Sequence, residues 1–167
     1  MAGIVKDEGA GLDYLINSMN VTDEDFLSYA TKAVAYMKTN ISAESIRDFY
    51  LSGVDRNDTE AIKAKIFDFA GDIVIKCPTY HMAKQYALHS KDKSKVFFYE
   101  LTRAPVIPKS NPLGLNAEDI KRLGAVHAID NLYVFGAPYI IKGWEDKVDF
   151  EFTKQYMKYW TDFAKYG

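Results

Sequence analysis

Apolar residues along this chain recur mainly at the spacing of one helix face. Phe26, Ala30, Ala33, Val34 and Met37 follow one another every three or four residues. Thr22, placed before Asp23, Glu24 and Asp25, marks the start of that helix. Its hydroxyl can accept from free N–H groups, and the acids face the positive end of the helix dipole. A short helix is predicted over 43–51. Asn57, with Glu60 three residues later, resembles a capping box and opens a helix carrying Ile62, Ile66 and Phe69 on one face. Gly71-Asp72 breaks the pattern. Pro78 fits the first turn of another helix, running to about His89. After Gly9 a helix is predicted through Leu12, Leu15 and Ile16. A last amphipathic helix covers about 149–165, with Met157, Trp160, Phe163 and Ala164 on one stripe that reads as core packing.

Two segments read as strands. Residues 2–6 form a short apolar run entering the turn Asp7-Glu8-Gly9, where glycine permits a sharp exit. Residues 95–102 are β-branched, aromatic and almost continuously apolar, as expected of a strand covered on both faces. Two strands do not make a stable sheet, so the second needs neighbours that the chain does not obviously contain. Between 103 and 123, Pro, Asn and Gly punctuate a long loop, a length that favours a functional role.

Composition narrows the class. At 167 residues, 48% hydrophobic and 26% charged, the chain is long enough for one domain with a sizeable core. A net charge of −2 argues against an electrostatic nucleic-acid binder. The lysines of 84–95 interleave with acids and read as a solvated face. No apolar run approaches the ~18 residues needed to span a membrane. The first residues lack the basic-then-apolar pattern of a secretion leader. Cys77 is the sole cysteine, so no disulfide can form within the chain. Three N-x-S/T triplets begin at Asn20, Asn40 and Asn57, each before a predicted helix. They are possible glycosylation sites, and Thr22, Ser42 and Asn57 are equally good helix caps.

Two groups could carry chemistry. His127 follows the long loop, after the small residues Gly124 and Ala125, and histidine is the usual general base for a serine nucleophile. Such a base needs a carboxylate on its other nitrogen, and Glu8 follows a predicted strand, where active-site groups of open α/β sheets gather. Taken singly, a lone loop histidine and an Asp-Glu pair at a turn are more often surface residues. His81 and His89 lie in a predicted helix and read as structural.

Five segments in order change that balance. They are Val5-Lys6-Asp7-Glu8-Gly9, Gly71-Asp72 through Cys77-Pro78, Val96 through Leu101, Gly124-Ala125-Val126-His127-Ala128-Ile129-Asp130 through Tyr133-Val134-Phe135-Gly136, and the closing Tyr159-Trp160 through Gly167. Together they resemble the C-terminal portion of the type-B carboxylesterase and cholinesterase family. The resemblance covers residues 1–167 and implies an α/β fold: the C-terminal part of an α/β-hydrolase, helix-rich with a few strands of the central sheet. It implies that Glu8 and His127 are the acid and base of a catalytic triad and that Asp130 supports them. It implies that Cys77 pairs with a cysteine beyond residue 167. No metal or organic cofactor is implied.

Two departures stand out. Ala128 occupies a position where the family usually has glycine. None of the eight serines lies in a G-x-S-x-G turn, and the family's nucleophile and oxyanion loop lie upstream of its acid motif. The expectation is therefore part of a serine carboxylic-ester hydrolase from the secretory pathway, inactive alone. Its partners would be a small-molecule ester and the missing N-terminal part of the same fold. The alternative is a non-catalytic cholinesterase-like adhesion or ligand-binding protein.

Overall fold

Strand β1 (Ala2–Val5) lies parallel to β2 (Phe98–Leu101), with Ala2 opposite Phe98 and Val5 opposite Leu101. The computed structural model describes residues 1–90 and 95–167. Residues 91–94 of the lysine-bearing stretch lie outside the described residues. A parallel pair needs a crossover, and here the crossover is a helical layer of its own. It begins with a 3₁₀ turn (Glu8–Leu12) and α1 (Asp13–Ile16), then α2 (Asp23–Met37), α3 (Ala43–Tyr50), α4 (Thr59–Gly71) and α5 (Cys77–His89). After β2 come α6 (Ala117–Leu123), α7 (Asp130–Val134), α8 (Ala137–Ile140) and α9 (Lys147–Tyr166).

Among the described residues two apolar cores result. The helical layer buries Phe26, Leu51, Ile62, Ile66 and Phe69. Phe26 and Phe69 lie 5.5 Å apart between ring centres, and Tyr50 packs edge-on against Phe69 at 5.3 Å. Each such fully buried side chain contributes about 1.5–3 kcal/mol. The second core gathers Val5, Leu101, Ile120, Ala125, Ile129, Tyr133 and Tyr156 around the ends of the strands.

Helix starts follow the expected chemistry, with one substitution. Thr22 and Asp25 form a complete capping box on α2, and Ser42 caps α3. On α4 the cap is Asp58, not Asn57: Asp58 accepts from the Ala61 N–H at 3.0 Å, while the side-chain amide of Asn57 donates to Asp55. Gly71-Asp72 does not end the helix either. The chain passes from α4 into α5 through one π-helical stretch (Asp72–Lys76). Pro78 has no N–H and its ring crowds the preceding turn. The wider turn, in which the Cys77 N–H reaches back to Asp72 O, accommodates it within a continuous helical run.

Other boundaries moved. The loop predicted over 103–123 closes with α6, because Asn116 caps it by accepting from the N–H groups of Glu118 and Asp119. β2 begins only at Phe98, and its cover is partial. Tyr80 of α5 meets Phe98 and Tyr156 of α9 meets Tyr99, yet Phe98 and Glu100 stay exposed. The stripe of α9 is offset from the predicted one. Asp149, Thr153 and Tyr156 are buried, Met157, Trp160 and Phe163 are half-buried, and Ala164 is exposed. Cys77 is a free, exposed thiol.

A buried charge ties the second half together. Asp149 is fully buried and accepts from Arg103 Nε at 2.8 Å, Val106 N at 2.8 Å, Trp144 Nε1 at 3.0 Å and the Tyr133 hydroxyl at 3.1 Å. A buried carboxylate is tolerated only when its lone pairs are filled in this way. Burial works against the Arg103 charge, but the Asp149 hydrogen bond and charge outweigh it and raise the guanidinium pKa. The network fixes the start of the long loop against α7 and α9.

Candidate active site

The site grows from the end of β1. The Lys6 N–H donates to Leu101 O at 2.8 Å, the last rung of the strand pair. The chain then turns, and Glu8 folds back so that its Oε1 accepts from the Val5 N–H at 2.9 Å. Gly9 follows, and its role is not the conformational freedom expected of it. A Cβ there would lie 1.9 Å from Phe67 O and 2.7 Å from Gly71 N. Glycine is needed because the turn rests directly on the backbone of α4, which pins Glu8 from below.

Asp7 stitches a second turn to the first. Its N–H donates to Ala125 O at 3.0 Å, and its Oδ2 accepts from the Ala125 N–H at 2.8 Å. Asp7 and Val126 form a parallel bridge. Gly124, at φ 86°, has no room for a side chain, since a Cβ would sit 2.3 Å from Asp7 Oδ2. Three residues after Gly124 is His127.

These contacts bring together the two residues that the sequence set apart. His127 Nδ1 lies 2.6 Å from Glu8 Oε2. With Glu8 ionised and the imidazole neutral, Nδ1 carries the bridging proton, because a carboxylate only accepts, and Nε2 keeps its lone pair. The Glu8 side chain is 5% exposed and the imidazole 60% exposed. The acid is thus held in the protein, while the imidazole stays largely in solvent, where Nε2 can take a proton from a group presented to it.

Asp130 is placed elsewhere. It begins α7, and its Oδ2 accepts from the Tyr99 hydroxyl at 2.9 Å. Ala128, between His127 and Asp130, adopts φ 65°, a left-handed conformation that costs an alanine about 1–2 kcal/mol. His81 and His89 are exposed, and Asn20, Asn40 and Asn57 are all exposed. Asp7 is the residue that sequence reasoning missed. Its signal was present in the Asp7-Glu8 pair, which read as solvated; in the fold Glu8 is buried and Asp7 half-buried. Among the described residues no cluster of three His, Cys, Asp or Glu side chains could hold a metal ion. No described helix is long and apolar enough to cross a membrane.

Comparison with known proteins gives this geometry its setting. The carboxylesterase family profile matches residues 1–167. The chain belongs to the carboxylesterase family. It is 33% identical over 126 residues to acetylcholinesterase-1 of Trittame loki, covering 74% of this chain and 20% of that protein. Human bile salt-activated lipase is 29% identical over 151 residues, covering 88% of this chain and 18% of that protein. The acetylcholinesterase of Bungarus fasciatus is 26% identical across the whole chain and 27% of its own length. The chain therefore spans between 18% and 27% of the length of these relatives. Carboxylesterase membership implies an α/β-hydrolase fold, to which the parallel pair β1–β2 and its flanking helices are suited.

Proposed function

We propose that these residues form the C-terminal part of a serine carboxylic-ester hydrolase and supply the acid and base of its triad. The observation that carries the reading is the 2.6 Å contact between His127 Nδ1 and buried Glu8. In the complete enzyme a serine from upstream sequence attacks the ester carbonyl. His127 Nε2 takes the serine proton and returns it to the departing alcohol, while Glu8 holds the ring in one tautomer and stabilises its charged form. Donors from the same upstream part stabilise the oxyanion. Water then releases the acid from the acyl-enzyme by the same route. The substrate class is a small-molecule ester, in keeping with relatives named acetylcholinesterase and bile salt-activated lipase.

Supporting the partial reading are the matched share of the relatives and the large side chains left in solvent. Phe49, Phe135 and Ile140 are each more than 70% exposed. A secretory origin is supported by the exposure of Asn20, Asn40 and Asn57 in their N-x-S/T triplets. Loss of mass on enzymatic deglycosylation of the protein from its natural source tests that part.

The decisive experiment compares this chain with the protein completed by its upstream coding sequence, using p-nitrophenyl acetate. Alone, the chain turns over substrate no faster than its His127→Ala variant. In the completed protein, His127→Ala lowers kcat by roughly 10³-fold or more. Stoichiometric labelling of a serine of the isolated chain by an organophosphate would overturn the reading. An upstream turn without the serine would replace it with the non-catalytic, ligand-binding alternative.

A further inference from the structure

The contact that Asp130 makes leads back to β2. Tyr99 leaves the strand toward the histidine turn, and its hydroxyl donates to Asp130 Oδ2 at 2.9 Å. The ring crosses β1 at Gly3, where a Cβ would lie 2.1 Å from the ring carbon Cζ. Glycine at that point of β1 is what lets the phenol through. On its other side the ring packs edge-on against Tyr156, 5.8 Å between centres, and against Trp160 at 6.0 Å. Burial, then the neighbouring Tyr156 and Asp130, push the Tyr99 pKa up, so the phenol stays a donor across the working pH range. Tyr99 is thus a rigid post between the two strands, α9 and the first residue of α7.

The histidine turn is tied down at its front and at its rear, with a strained link between them. Its front is bonded to Asp7 through Ala125. Its rear is Asp130, held by Tyr99. Between them lie His127 and Ala128, the latter at φ 65°. A backbone held in a sparsely populated conformation persists only where its surroundings over-determine it. We infer that Tyr99 is a positioning residue for His127: its hydroxyl, through Asp130, anchors the rear of the turn and keeps the imidazole on Glu8. The inference rests on the reading of Glu8 and His127 as the acid–base pair.

The test reads the tautomer of neutral His127 by ¹⁵N NMR of the full chain labelled at histidine. A role confined to stability would leave that tautomer unchanged in the folded molecule. In the wild type the Nδ1–H form predominates. Tyr99→Phe, which removes one hydroxyl and keeps the packed ring, raises the Nε2–H fraction about threefold, the scale of weakening one hydrogen bond. Asp130→Ala does the same, and Asp130→Asn, which still offers an oxygen to the phenol, stays at the wild-type value. Glu8→Ala separates the two ideas. If it leaves the tautomer unchanged, the acid–base pair itself is wrong, and Tyr99 has nothing to position. If Glu8→Ala shifts the tautomer and Tyr99→Phe does not, the pair stands and the role of Tyr99 is refuted. A shift in Asp130→Asn as large as in Asp130→Ala also refutes it. Should Asp130→Ala fail to fold, Tyr99→Phe decides alone.

Discussion

Asp7 and Ala125 bond to each other twice, once through two backbones and once through the Asp7 carboxylate at 2.8 Å. The second bond is the removable one. Asp7→Ala leaves the Ala125 N–H without its acceptor, at a cost of about 1–3 kcal/mol. Asp7→Asn keeps an oxygen in place and loses less. Urea unfolding of the two variants checks the order, and equal losses would show that the carboxylate does not hold the turn.

A Cβ at position 9 would meet backbone atoms of Phe67 and Gly71, which cannot rotate aside. Gly9→Ala is therefore expected to destabilise by about 3 kcal/mol, the upper part of the overpacking range. Gly11 provides the control. A Cβ there meets nothing within 4 Å, and its φ is not positive. Gly11→Ala is expected to be neutral or to gain up to about 1 kcal/mol. Thermal melts of the pair measure the difference, and similar melting temperatures would contradict the close approach.

Ala128 sits at φ 65°. Replacing it with glycine removes the Cβ strain but loosens the unfolded chain, for a net gain of about 0.5–1 kcal/mol. Denaturant midpoints test this. A destabilised Ala128→Gly variant would mean that the alanine methyl is packed usefully rather than strained.

Asp13 and Arg122 form a two-pronged pair, with N–O distances of 3.0 and 2.6 Å, joining α1 to the last turn of α6. The Arg122 hydrogen bond lowers the Asp13 pKa, against the opposing effect of burial. A carboxylate lowered in the fold stabilises above its unfolded pKa of about 3.9, and that stability is lost as pH falls through the folded value. Wild type is thus expected to lose stability between pH 4 and lower pH more steeply than Asp13→Asn. Parallel urea titrations at several acidic pH values would expose a flat difference, which would discount the pair.

Much of the helical layer was legible because its signals are local. Thr22, Ser42 and the Phe26 and Ile62 faces act within one or two turns, so their period and caps stand in the sequence. Boundaries that depended on neighbours were less so. Pro78 reads as a helix start, and only the accommodating π turn reveals a continuous run. Asn57 and Asp58 are equally plausible caps by type, and the fold uses the second.

For the candidate site, sequence alone determined the chemical kinds, a carboxylate after a strand and a histidine after small residues, together with an ordered set of motifs. It also determined that no serine of this chain lies in a nucleophile turn. Tertiary structure decided what touches what. The contact of Glu8 with His127, the Asp7 stitch, the Gly9 seat on α4 and the Tyr99 post to Asp130 join residues far apart in the chain. Such contacts exist only once the strands pair and the helices pack, because hydrogen bonds and steric limits act over a few ångströms of space, whatever the separation along the sequence.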